Sequence, residues 1–126
     1  MPDNFRRFTV DDPFGRKWDV EFRWQQNAIS IRHADAIDCK YYASTGAEKR
    51  ELVVSLPHTA LLAVAGQAGR ELTDAWVIKL AGLHAERMIS NWEDLDKAVA
   101  VLSADEIYGY NRALEETAAQ AAAAHR

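Results

Sequence analysis

Histidines, one cysteine and a few closely spaced carboxylates are the side chains here with chemistry to offer. The segment HADAIDC sets His33, Asp35, Asp38 and Cys39 within a few residues of one another. A histidine titrates near neutrality and an adjacent carboxylate can orient its ring, the minimum for general acid–base work. In a strand, Asp38 and Cys39 point to opposite faces, so only one of them can converge with His33. His84 is the second candidate, because Val77, Leu80, Ala81 and Met88 surround its helical position and burial lowers a histidine's pKa. The catalytic hypothesis that follows is a sheet–helix cleft with His33 and His84 as acid–base groups and Asp35 as the orienting carboxylate. The structural account is the stronger one: His33 ends an apolar strand face at the rim of a core, and His84 is a hydrogen-bonded core histidine. His58 falls in the first turn of a helix, where the dipole disfavours its cation, and His125 lies in the tail.

Other chemistries lack their spacing. His-Glu-x-x-His, Cys-x-x-Cys and His-x-His are absent, so no metal and no cofactor is expected. Cys39 sits on an apolar register and reads as an inert core thiol, with no Gly-x-Ser-x-Gly or catalytic-cysteine signature nearby. GQAGRE lacks both the Walker lysine and the third glycine of a dinucleotide loop and reads as a helix terminus. Glu93, Asp94 and Asp96 suit the positive end of a helix dipole.

The elements that must position these residues are legible from periodicity. WDVEFRWQ alternates, placing Trp18, Val20, Phe22 and Trp24 on one face and Lys17, Asp19, Glu21, Arg23 and Gln25 on the other. A turn at Gln26-Asn27 would set Trp24 against Ile29, Phe22 against Ile31, Val20 against His33 and Glu21 against Arg32. Upstream, DDPFG supplies a five-residue loop that pairs Phe8 with Trp18 and Arg7 with Asp19. Downstream, a Gly46-Ala47 turn pairs Tyr41 with Leu52, Cys39 with Val54 and Ile37 with Leu56. Trp18, Trp24, Phe8 and Phe22 resemble a base-stacking platform in composition, but no basic surround accompanies them and the helices need that face, so they are assigned to the core.

After Pro57 the period changes to about 3.6. The pattern predicts a helix with Leu61, Val64, Ala65 and Ala68 as its stripe and Gly69 as its C-cap. A second follows over about residues 73–89, and a third over 92–101 with Leu95, Ala98, Val99 and Leu102. SNWE and SADE each have the Ser-x-x-Glu form of a capping box, the second reinforced by a Leu102–Ile107 staple. The Ala-rich tail favours helix but carries little to bury. The expected fold is α+β: a four-stranded antiparallel β-meander, about residues 5–56, followed by three or four α-helices packed on one sheet face. A single domain spans 1–126, with 1–4 and 118–126 as frayed ends.

The totals bound what such a domain does. At 126 residues, 48% apolar and 27% charged, the chain is the size and composition of one globular unit. Residues 1–56 carry nine Lys/Arg and nine Asp/Glu and residues 57–126 carry six and ten, so the second part holds the whole net charge of −4. No basic run suits nucleic acid. A single cysteine and the lack of an apolar leader or span point to a cytoplasmic protein without a membrane anchor. Trp76, Ile78, Met88, Ile89, Trp92, Ile107, Tyr108 and Tyr110 spread around their helices, more apolar bulk than one sheet face covers easily. The sequence therefore favours a binding or assembly domain over an enzyme. Its partner would be a second copy or another protein, and a small-molecule pocket at the sheet–helix boundary is the alternative.

Overall fold

The computed structural model describes residues 4–28 and 35–124. Strands β1 (Arg7–Asp11), β2 (Lys17–Ala28), β3 (Ala36–Thr45) and β4 (Glu48–Pro57) form an antiparallel meander in chain order. Helices α1 (His58–Ala68) and α2 (Asp74–Asn91) follow, then a two-residue strand β5 (Ala100–Val101), then α3 (Ala104–Ala124). β5 adds a fifth strand beside β4 and runs parallel to it, Ala100 opposite Val54. None of the described helices is long and apolar enough to cross a membrane.

One sheet face is the core. Phe8 and Val10 of β1, Trp18 and Val20 of β2, Ile37, Cys39 and Tyr41 of β3, and Leu52, Val54 and Leu56 of β4 are all buried beneath the helices. The β3–β4 hairpin takes the predicted register, Tyr41 with Leu52, Cys39 with Val54 and Ile37 with Leu56. Its turn has Gly46 at φ 52°, a left-handed backbone that glycine adopts without steric cost. The β1–β2 hairpin keeps its five-residue loop but slips by two partners, pairing Phe8 with Val20 and Val10 with Trp18. A slip of two leaves every side chain on its face. The loop begins one residue later than expected because Asp12, not Asp11, closes it: the Asp12 N–H donates to the Arg16 carbonyl at 2.9 Å.

The turn expected at Gln26-Asn27 does not form. Both residues continue β2, opposite Asp38 and Ile37 of β3. Neither is glycine, and a two-residue hairpin turn needs positive φ at its centre. Val20 is flanked by Phe8 and Ala43 and Phe22 is opposite Tyr41, so the partners proposed for them among residues 29–33 have no place at those positions. His33 itself lies outside the described residues.

A bulge accompanies the longer strand. The register shifts between Phe22, which faces Tyr41, and Trp24, which faces Lys40. An extra residue in one strand reverses the faces beyond it. Trp24, assigned to the core from its alternation, therefore stands on the outer face. Gln25 takes the inner register opposite Cys39, and its Nε2 donates to Asp74 Oδ1 at 2.7 Å, tying the strand to the start of α2.

α1 and α2 match their predicted stripes. Leu61, Val64 and Ala65 are buried in α1, which ends at left-handed Gly69, and α2 is capped by Thr73, whose hydroxyl accepts from the Trp76 N–H. The helix predicted over 92–101 is absent, and so is its SNWE cap. Ser90 is still inside α2, and its hydroxyl donates to the Arg87 carbonyl. α2 is closed instead by Trp92 at φ 55°, with the Glu93 N–H donating to the Met88 carbonyl at 2.9 Å. The chain then extends to reach β4, where the Leu102 N–H donates to the Ser55 carbonyl and buries Leu102. Pairing on an open sheet edge outweighs a short helix with one modest stripe. The SADE box forms as expected: Ser103 N–H to Glu106 Oε1 and Glu106 N–H to Ser103 Oγ, both at 3.1 Å.

Candidate functional site

The surplus apolar helix residues do not form a free face. Trp76, Ile78, Met88, Ile89 and Ile107 are buried, Trp92 and Tyr110 pack against the core, and only Tyr108 of that set is exposed. Beyond Tyr108 and the loop residue Phe14, the exposed aromatics are two on the uncovered face of the sheet. Trp24 is 38% exposed and Tyr42 40% exposed. Lys40 Nζ sits 5.7 Å from the Trp24 ring centre and 5.4 Å from that of Tyr42, and the Arg23 guanidinium is 5.1 Å from Tyr42. A cation over an aromatic face is held there by the ring quadrupole. Acidic partners flank both cations: Lys40 Nζ lies 3.3 Å from Glu51 Oε2, and Arg23 Nη1 lies 3.4 Å from Glu21 Oε1. Beside them, Glu21, Tyr42, Ser44, Lys49, Arg50 and Glu51 line a hollow of about 330 Å³. The alternation of Lys40, Tyr42 and Ser44 in β3 carried half of this patch in the sequence; the bulge that supplies Trp24 left no comparable sign.

Of the acid–base candidates, His84 is placed most fully. It is 5% exposed, in the seam between α2 and α3, with Nδ1 2.7 Å from the Tyr110 hydroxyl and 3.8 Å from Glu106 Oε2. Glu106 also lies 3.7 Å from Arg87 Nη1. Burial pushes the His84 pKa down, against the opposing pull of Glu106. A neutral imidazole held by a tyrosine is a competent base only where a substrate reaches it, and His84 lines none of the hollows described in this section. Glu106 and Tyr110, four apart on α3, are the partners that the sequence did not single out. Asp35 is exposed at the start of β3 and is not among the partners of His84; its carbonyl accepts from the His58 N–H at 2.8 Å. Cys39 is fully buried, and burial, with Asp38 and Asp74 nearby, pushes its thiol up to about 12, so it carries no thiolate at neutral pH.

The His84 environment makes a prediction. Its folded pKa lies below the unfolded value of 6.5, so above that value the ring is neutral in both states and contributes no pH dependence. As the pH falls through it the unfolded chain gains a proton that the folded one resists, and stability declines. Urea midpoints should fall between about pH 7 and pH 5, and His84→Gln should flatten that part of the profile. An unchanged slope would mean that the ring protonates freely in place.

A third feature lies between the start of α2 and the second half of α3. A cavity of about 450 Å³ is lined there by Phe5, Arg70, Thr73, Trp76, Lys79, Leu114, Glu115 and Ala118 among others. The Arg70 guanidinium lies 4.7 Å from the Trp76 ring centre. Comparison with known proteins gives no relative to set beside these sites: no family model, no curated protein and no solved structure matches the chain.

Proposed function

We propose that this chain is a binding and assembly domain that pairs with a second copy of itself through the outer face of its sheet. The observation that carries the reading is the bulge in β2, which turns Trp24 out beside Tyr42. Bulges commonly re-aim a side chain at functional positions, and aromatic and arginine side chains are the groups most enriched in interface centres. Charge supports a like partner. The patch holds both signs, Arg23 and Lys40 against Glu21 and Glu51, the mixture a self-complementary two-fold interface requires. The area suffices: four strands of five to twelve residues spaced ~4.8 Å apart project roughly 600 Å², of the order each partner contributes to a stable interface.

Sedimentation velocity tests the reading. The wild-type chain is expected to be a dimer at tens of micromolar, on the order of 10⁻⁶ M in dissociation constant or tighter. Trp24→Glu and Tyr42→Glu, both at exposed positions, should give folded monomers with unchanged circular dichroism. A wild-type monomer throughout that range, or a dimer indifferent to both substitutions, overturns it.

A further inference from the structure

We infer that the cavity between α2 and α3 binds a small amphipathic monoanion, an apolar body carrying one carboxylate or sulfonate. Two observations meet there. Arg70 and Lys79 both line the cavity and, among the described residues, neither has a carboxylate within ion-pair distance, although most other described cations do. Arg70 is held in position by the Trp76 ring, so its fork is oriented before a ligand arrives. The remaining wall is apolar, from Phe5, Leu114, Ala118 and Ala121.

The polar groups leave a net attraction for one negative charge. Glu115 lies in the same wall, but its Oε1 accepts from Asn111 Nδ2 at 3.1 Å, and the lining carries two cations to that single carboxylate. The Thr73 oxygen already accepts from the Trp76 N–H, which leaves its hydroxyl proton to donate to a ligand oxygen. The Thr117 hydroxyl donates to the Ala113 carbonyl and stays out of the account. The volume is in the range of small-molecule sites and suits a chain of roughly eight to twelve carbons. This inference is independent of the sheet-face reading, since it uses none of its residues.

Isothermal titration of the full chain with decanoate, and with decanamide as the neutral analogue, tests it. The expected result is one saturable site for decanoate and about tenfold weaker binding of decanamide, the order of one charge-assisted hydrogen bond. Arg70→Gln and Lys79→Gln should each weaken decanoate about tenfold while leaving thermal unfolding unchanged, because both side chains are exposed. Ala118→Phe should fill the cavity and abolish binding; should that variant fail to fold, the two glutamine variants decide. No saturable binding up to the order of 1 mM, equal affinity for decanamide, or wild-type affinity in both glutamine variants would overturn the inference.

Discussion

Asp12→Asn should lower the melting temperature by on the order of 10 °C at neutral pH, although it changes one oxygen to one NH₂ in a loop. The side chain of Asp12 is wholly covered and accepts four hydrogen bonds. Oδ1 takes the N–H groups of Phe14 and Arg16 at 2.8 and 2.9 Å, and Oδ2 takes Arg16 Nε and Trp18 Nε1 at 2.8 and 2.9 Å. An amide offers one acceptor oxygen, so either orientation sets an NH₂ against two donors. The consequences spread, because the same guanidinium lies 5.2 Å from the Trp18 ring centre and 5.1 Å from that of Trp92, the residue that closes α2. The sign with pH is opposite to what burial alone would give. Burial acts to raise the carboxyl pKa, but the bonds from Trp18, Arg16 and Phe14 outweigh it and hold the group at about 2, below the ordinary aspartate value of 3.8. Its stabilisation is therefore complete above about 4 and fades as the pH falls toward 2. Thermal melts of wild type and Asp12→Asn across that window should converge at the acid end; a constant gap would show that shape, and not the carboxylate, holds the loop.

The parts of the fold that were legible share one property: the signal was local. Gly46 sets a hairpin register by its backbone freedom, Gly69 ends a helix in the same way, and Ser103 and Glu106 satisfy each other's N–H groups three residues apart. The parts that were missed depend on partners far along the chain. Gln26-Asn27 reads as a turn until Asp38 and Ile37 offer continued pairing, and residues 92–101 read as a helix until the open edge of β4 offers Ser55. The candidate site follows the same division. The placement of His84 on a buried stripe was visible from α2 alone, whereas its tyrosine and glutamate come from α3, and the outward turn of Trp24 comes from a bulge next to the link from Gln25 to the distant Asp74. A period-2 pattern contains no mark of the residue at which it breaks.

Trp76→Ala should cost about 3–5 kcal/mol, the range for removing a buried aromatic, against a total of roughly 6–19 kcal/mol for a chain of this length. Trp76 is 1% exposed in α2, and its Nε1 donates to Asn111 Oδ1 of α3 at 3.0 Å. Asn111 is itself only 2% exposed, a buried amide whose oxygen takes the indole N–H. Packing and hydrogen bonding separate by substitution. Trp76→Phe keeps a ring but leaves the Asn111 oxygen without its donor, and Asn111→Ala leaves the indole N–H without its acceptor. Each should cost about 1–3 kcal/mol for the orphaned group, beyond any loss of volume. Once either partner is gone the other has little left to lose, so the double variant Trp76→Phe/Asn111→Ala should be more stable than the sum of the singles predicts, by about 0.5–3 kcal/mol. Urea unfolding of the four proteins measures that coupling directly. Additive costs would show that Trp76 and Asn111 are not coupled, with the indole N–H satisfied by another acceptor.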